Sequence, residues 1–329
     1  MDSLIFAVYA VAPIIIIVAI GYILKKVGFM NAEFAKAANK LVFHIFLPAM
    51  LFLNVYNIED IGEMNFGYII YVLVVLLSIF AFSIPAVMLV SKKRERRGVM
   101  LQAAFRSNYA LIGIPLAKSL FGNEGVMVAT LLSAVVIPML NILSVISLSV
   151  FRKGGDRLSV KNLLLDIIKN PLIRSVAAGV AVLFIRAGFV RAGIGFRLTD
   201  IAPLLTALEY LSDLATPLAL LVLGAQFEFS AVKSLKKEII FGTLMRTAVV
   251  PFIGLGVAYI FFSSQFSGAH FAAFVAMFAT PVAVSSVPMT QEMDGDVTLA
   301  GQLVIWTTLF SAVSVFFTSF LLRLAGIFG

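Results

Sequence analysis

Ten apolar runs, each about as long as a bilayer is thick, divide this sequence almost from end to end. A membrane-spanning helix needs about 20 mostly apolar residues. The chain is 61% hydrophobic and 13% charged, whereas soluble domains carry about 25% charged residues. We therefore predict an all-α polytopic membrane protein of ten transmembrane helices. The predicted spans are residues 3–24, 35–55, 65–90, 98–120, 126–151, 170–187, 202–226, 239–262, 269–289 and 297–322.

Lysine and arginine are concentrated in the loops that follow the odd-numbered spans. The loop after span three holds a basic cluster from Lys92 to Arg97, whereas the loops after spans two, four and eight hold no Lys or Arg. Cytoplasmic loops of membrane proteins are enriched in these residues. We therefore predict a multi-pass protein of the cell (plasma) membrane with both termini outside.

Prolines recur at matching places in the two halves of the chain, at offsets of 158, 169, 166 and 166 residues. An internal duplication explains this spacing better than chance does. Because each copy would hold five spans, an odd number, the two copies must run in opposite directions. We predict inverted five-helix repeats at residues 1–151 and 170–329, joined by a cytoplasmic linker at 152–169, a design that permits alternating access. The pairs are Pro13 with Pro171, Pro48 with Pro217, Pro85 with Pro251 and Pro115 with Pro281.

Spans four and nine contain the strongest helix breakers. Pro115 cannot donate to the carbonyl of Leu111, and Gly113 lacks a side chain. Irregular backbone at membrane depth is tolerated only when it is buried in protein or lines a wet cavity. We therefore predict that these spans cross at a substrate site, where half-helix N-termini face an anionic group; kinks closed by neighbouring helices are the alternative. The candidate substrate-binding residues are Asn108, Tyr109, Gly113, Ile114, Pro115, Pro281, Val282, Ser285 and Ser286.

Ionisable side chains inside a membrane are costly and often functional. Arg106, two residues before Asn108, could recruit anions. Its structural alternative is to snorkel to headgroups or to pair with a carbonyl. Arg246 in span eight has the same functional and structural interpretations, with the structural one favoured. His44 and Asp213 each precede a repeat-related proline by four residues and could carry a coupled proton. Buried His and Asp groups are more often structural.

Several motifs are spread along nearly the whole chain. They are Asn108 to Pro115 (NYALIGIP), Leu120-Phe121-Gly122, Asn170-Pro171, Thr216 to Ala225 (TPLALLVLGA), Ala279-Thr280-Pro281, Gln291-Glu292 and Leu299-Ala300. Together they resemble the auxin efflux carriers and their bacterial relatives, which are described as malate or malonate permeases.

This resemblance implies a ten-helix fold of two inverted five-helix repeats, with broken helices four and nine crossing at the midplane. It also implies a homodimer that transports small carboxylates, with Asn108 and the peptide groups around Pro115 and Pro281 contacting the substrate. The plant members differ at the positions held here by Val282, Ala283 and Ser285, and their long cytosolic loop is reduced here to residues 152–169. These differences argue against auxin itself as the substrate.

The favoured function is a secondary-active or facilitative transporter of a small organic anion, a mono- or dicarboxylate of auxin-like or malate- and malonate-like type. A proton or a sodium ion is the candidate coupling ion. The alternatives are a sodium-coupled symporter of bile-acid type, or a transporter-like sensor or channel. The chain has no cysteine, which excludes thiolate metal sites, and no HExxH or paired-Asp motif indicates an enzyme. We expect no catalytic residue, cofactor, metal or nucleic-acid partner, and a lipid bilayer as surroundings.

Overall fold

The computed structural model of the protein describes residues 2–57, 66–152 and 160–328. Within these ranges the chain is helical apart from short turns and one isolated antiparallel bridge. The predicted all-α class is confirmed. The α-helices are α1 (Asp2–Lys26), α2 (Ala32–Leu41), α3 (Leu47–Tyr56), α4 (Phe66–Val90), α5 (Arg94–Phe105), α6 (Ile114–Val150), α7 (Val160–Lys169), α8 (Pro171–Arg191), α9 (Ala202–Gln226), α10 (Ala231–Ser234), α11 (Lys236–Leu244), α12 (Val250–Phe262), α13 (Gly268–Phe278), α14 (Ser286–Glu292) and α15 (Val297–Leu324).

In the described part of the chain, seven helical stretches are long and apolar enough to cross a membrane. A shorter apolar helix, α13, lies in the centre of the bundle, and every residue from Phe271 to Phe278 is fully buried. The predicted multi-pass membrane character is therefore confirmed. The seven stretches are Ala32–Tyr56, Phe66–Val90, Tyr109–Val150, Pro171–Arg191, Ala202–Gln226, Lys236–Phe262 and Val297–Leu324.

Three of these stretches accommodate a proline by means of a π-helical segment. In each one a five-residue π-helical segment directly precedes an α-helix that carries proline in its first turn. Proline lacks an N–H group and its ring clashes with the carbonyl four residues earlier, and the wider π turn removes the need for that hydrogen bond. The segments are Val42–Phe46 before Pro48, Tyr109–Gly113 before Pro115, and Met245–Val249 before Pro251.

The long helix α6 contains a turn that reverses the chain. Phe121 and Gly122 have non-helical backbone angles, and Gly122 has a φ of 59° and a ψ of −145°, a conformation open mainly to glycine. Gly125 then packs against the carbonyl of Ala117, where a methyl group would lie 2.4 Å from the oxygen. This turn falls between the predicted spans 98–120 and 126–151.

Two helix pairs approach closely at glycines. α1 packs along α9, and α3 packs along α8. A methyl group at Gly21 would lie 2.0 Å from the carbonyl oxygen of Leu221, and one at Gly179 would lie 3.1 Å from that of Phe52. Only glycine allows backbones to come this near. These contacts fix how the outer helices surround the buried centre of the bundle.

Candidate functional site

Two helices end against each other in the middle of the bundle. α5 ends at Phe105 and α13 ends at Phe278, and the non-helical segments that follow them, residues 106–108 and 279–285, form what we call the crossing. The N–H of Asn108 donates to the carbonyl of Pro281 at 2.8 Å, and the N–H of Ala283 donates to the carbonyl of Arg106 at 3.2 Å. These two bonds make the antiparallel bridge between Ser107 and Val282. Backbone groups freed by the broken helices are thus paired with each other.

The first break lies earlier than the sequence indicated. It was expected at Pro115, but the interruption occurs at residues 106–108 and Pro115 lies inside a continuous helix. The π segment before Pro115 explains this, because the N–H of Ile114 already bonds to the carbonyl of Tyr109 and the ring occupies the first α-helical turn. Pro115 and Pro281 therefore do not occupy equivalent places, since Pro281 lies in the crossing itself.

Arg246 holds the ends of both broken helices. Its side chain is fully buried, and its Nε donates to the carbonyl of Thr280 at 2.7 Å while Nη2 donates to that of Met277 at 2.7 Å. Nη1 donates to the carbonyl of Phe105 at 3.3 Å. Carbonyls at a helix C-terminus have no partner within the helix, so one guanidinium satisfies acceptors at the ends of both α5 and α13. This position agrees with the structural interpretation of Arg246.

A cavity of about 190 Å³ lies against the crossing. It is bounded by α3, the π segment Tyr109–Gly113, α6, α9 and the two non-helical segments, so six parts of the chain meet around it. None of its lining residues is Asp or Glu. The lining residues are Leu47, Met50, Leu51, Asn54, Arg106, Ser107, Asn108, Tyr109, Ala110, Leu111, Ile137, Leu140, Asn141, Ala215, Thr216, Ala219, Ala283, Val284 and Ser285.

Arg106 supplies the only cation of this lining. The residue is 4% exposed, and its Nη2 donates to Asn141 Oδ1 at 2.9 Å and to Ser285 Oγ at 3.0 Å. Nη1 lies 3.1 Å from the Met289 sulfur. In the described ranges no carboxylate pairs with it. A buried charge held only by neutral acceptors is costly, and an anionic ligand would offset that cost.

Asn108 offers an unused donor to the same cavity. The residue is 8% exposed, its backbone N–H is committed to the crossing, and its side-chain Nδ2 has no hydrogen-bond partner. The neighbouring Tyr109 differs, because its hydroxyl donates to the carbonyl of Ala129 at 2.9 Å. An unpaired buried amide costs free energy unless a ligand or water accepts its hydrogen bond.

The predicted substrate-binding residues divide into two groups. Asn108, Tyr109 and Ser285 line the cavity, and so does Arg106, which was predicted to recruit anions. The others lie outside the lining: Gly113 faces the backbone of Ala276, where a methyl group would lie 2.9 Å from the carbonyl oxygen, and the remaining ones are Ile114, Pro115, Pro281, Val282 and Ser286. Asn54 and Thr216 were missed as lining residues. Asn54 interrupts the apolar run from Leu47 to Val55, and Thr216 directly precedes the repeat-related Pro217, and these are the signals that could have identified them.

The candidate proton-coupling residues do not contact each other. His44 Nε2 lies 3.1 Å from Glu292 Oε2, and its side chain is 46% exposed. Asp213 is exposed and makes no hydrogen bond or ion pair with any residue that the structure describes. The structure thus gives His44 a partner in α14 that the sequence did not indicate.

Polar contacts close one end of the bundle, which we call the basic end because the predicted cytoplasmic loops lie there. Asn39 Nδ2 donates to Gln226 Oε1 at 3.1 Å and to Gln291 Oε1 at 2.9 Å, which ties α2, α9 and α14 together. Arg96 bridges Glu238 and Asp296, each at 3.0 Å. A second cavity of about 350 Å³ lies here, lined by Gln226 and Gln291 among others. Two of the three amides thus line this outer cavity, and the third, Asn39, is bonded to both of them.

Comparison with known proteins gives one family and two similar chains. A family model described as membrane transport protein matches residues 6–319. An uncharacterized transporter of Methanothermobacter thermautotrophicus is 24% identical over 316 residues, which cover 93% of this chain and 95% of that one. An uncharacterized transporter of Methanocaldococcus jannaschii is 27% identical over 231 residues, 67% of this chain and 68% of that one. The first similarity thus extends over nearly the whole length of both chains.

Proposed function

Because this chain belongs to the family of membrane transport proteins, we propose that it carries a small organic anion across the cell membrane by alternating access. The family match confirms the resemblance to auxin efflux carriers that the sequence motifs indicated. The substrate class is a small carboxylate, and its transport is secondary-active or facilitative. A proton or sodium ion is the candidate coupling ion, and the working unit is a homodimer.

The observation that carries this proposal is the guanidinium of Arg106 in the central cavity, which has no carboxylate partner among the described residues. Arg106 is buried there beside Asn108 Nδ2, which lacks a partner. An anion bound between them would supply the missing charge and the missing acceptor together, and hydrogen bonds to charged groups are the strong ones. The rest of the wall is mostly apolar. A lining with one cation favours a monocarboxylate over a dicarboxylate, whose second charge would lose its hydration without a counterion.

The glycine contacts support ten spans in two inverted repeats. The proline pairs relate Gly21 to Gly179 at an offset of 158, and they relate Phe52 to Leu221 at an offset of 169. Gly21 meets Leu221, and Gly179 meets Phe52. The same close contact thus occurs between α1 and α9 and again between α8 and α3. Exchange of two halves by a twofold axis in the membrane plane would produce this pairing, and inverted repeats of this kind permit alternating access.

The alternative functions fit the cavity less well. A sodium-coupled symporter of bile-acid type needs several oxygen ligands for the cation, and Arg106 would repel a cation bound in this lining. A channel or a transporter-like sensor has no specific feature of the described residues in its favour. The anion carrier therefore remains the preferred function, with the basic end facing the cytoplasm and both termini outside.

Flux measurements in proteoliposomes test the proposal. We expect uptake of at least one radiolabelled anion among benzoate, indole-3-acetate, malonate and malate, with a pH or sodium gradient applied in parallel. Arg106→Gln should abolish uptake, because the amide carries no charge. Arg174→Gln is the matched control, since Arg174 is exposed and lies outside the cavity. Equal uptake by Arg106→Gln and the control would contradict the proposed site.

A further inference from the structure

The two helices that end at the crossing bring the same sign of charge to one place. A helix C-terminus carries about −0.5 elementary charge, from aligned peptide dipoles and unpaired carbonyls. α5 and α13 both end beside Arg246, so their C-termini together contribute about −1 charge. The π segment at Tyr109 and helix α14 begin at the same crossing, and their N-termini would attract an anion in the adjacent cavity. Uncancelled charge at the two C-termini behind them would oppose that attraction.

Arg246 is placed to cancel that charge. The guanidinium is fully buried, it lies outside the cavity lining, and the carbonyls it contacts belong to the ends of both helices. Within the described residues no carboxylate pairs with it. Its single positive charge equals the combined charge of the two helix ends in magnitude.

We propose that Arg246 is a positioning residue for the anion site, which acts without touching the substrate by neutralising the C-terminal ends of α5 and α13. The crossing then presents Arg106 and the unpaired amide of Asn108 to the cavity without an opposing negative field. Arg106 and Arg246 thus have different roles, since the first faces the ligand and the second removes the charge behind it. The effect of Arg246 on anion transport rests on the proposed function, whereas its effect on the electrostatic potential in the cavity does not.

A titrating thiol measures this field directly. The chain has no native cysteine, so Ala283→Cys places a single thiol in the cavity lining. Ala283 is the third residue after Thr280, whose carbonyl contacts Arg246. The Cα atom of residue 283 therefore lies at most about 14 Å from the guanidinium. At an effective permittivity of ~20, a unit charge at that distance shifts a titration midpoint by about one pH unit.

The experiment records the alkylation rate of the purified protein by iodoacetamide as a function of pH. In the Ala283→Cys background, Arg246→Gln should raise the midpoint of the rate profile by about one pH unit. Arg246→Lys should leave it within about 0.3 unit, because lysine keeps the charge. Ser263→Cys is the control thiol, since it lies at the far end of α12, and its midpoint should not respond to either substitution.

Two results would overturn the inference. An unchanged midpoint in folded Arg246→Gln would mean that the charge does not reach the cavity. A midpoint raised by a full unit in Arg246→Lys would mean that hydrogen-bond geometry matters and charge does not, and this outcome is decisive even if the glutamine variant fails to fold. Because no ligand is used, a thiol that responds as expected in a protein without anion transport would refute the proposed function and leave only the electrostatic effect of Arg246 established.

Discussion

Replacing Asn108 with leucine should change stability and binding in opposite directions. The Nδ2 donor of Asn108 is buried without an acceptor among the described residues, and such a group costs about 1–3 kcal/mol. Leucine is similar in size and has no donor to satisfy. Asn108→Leu is therefore expected to raise the free energy of unfolding by up to about that amount, as a higher Tm in detergent.

Binding should weaken in the same variant. A hydrogen bond to a charged group contributes about 1.5–3 kcal/mol, so losing the amide donor corresponds to a roughly tenfold to hundredfold higher Kd. Asn108→Asp should bind still more weakly. Its carboxylate would repel the substrate and would give Arg106, two residues away, the partner that it lacks.

Calorimetry with the best-transported anion and thermal unfolding of the same samples measure both effects. Asn54→Leu is the matched control, because it removes a second amide from the same lining whose side chain has no buried unpaired atom. It should change Tm and Kd less than Asn108→Leu does. An unchanged Kd together with a lower Tm in Asn108→Leu would refute the reasoning, since Asn108 would then only hold the crossing in place.

Three further predictions concern packing, coupling and topology. Gly21→Ala should prevent the close approach of α1 and α9 and strongly lower Tm, whereas Gly188→Ala, which meets open space, should not; equal Tm values would contradict the contact. His44→Gln and Asp213→Asn should leave uptake pH-dependent, because these groups do not meet, and loss of the pH profile in both would show coupling. A thiol at Lys92→Cys should resist impermeant reagents in intact cells while terminal tags are accessible; labelling from outside would invert the topology.

The sequence predicted where the helices lie because apolar length and loop charge are local properties. The predicted position of the first helix break was wrong, because a π segment accommodates Pro115 within the helix. Nothing in the local sequence distinguishes a proline that breaks a helix from one that follows a π turn. The better local signal was the polar run of Arg106 to Asn108, which lies at the break itself.

The roles of the two buried arginines could be predicted only in part. Arg106 was placed near the substrate by its distance of two residues from Asn108, and the structure brings both to one cavity. The partners of Arg246 are backbone carbonyls, one of them 141 residues earlier in the chain. Carbonyls exist at every position, so no residue type identifies them, and only the meeting of two helix ends gives this arginine its environment.

The amide contacts at the basic end have a consequence for the energy of opening. Asn39, Gln226 and Gln291 carry no net charge, and each can exchange its partner for water at a net cost of only about 1 kcal/mol per hydrogen bond. Parting these side chains would separate no ions, unlike parting Arg96 from Glu238. A barrier built this way is nearly independent of ionic strength. In the alternating access proposed above, the closed and hydrated arrangements of these amides would then have similar free energies. Binding of a substrate in the central cavity would therefore determine which arrangement is populated.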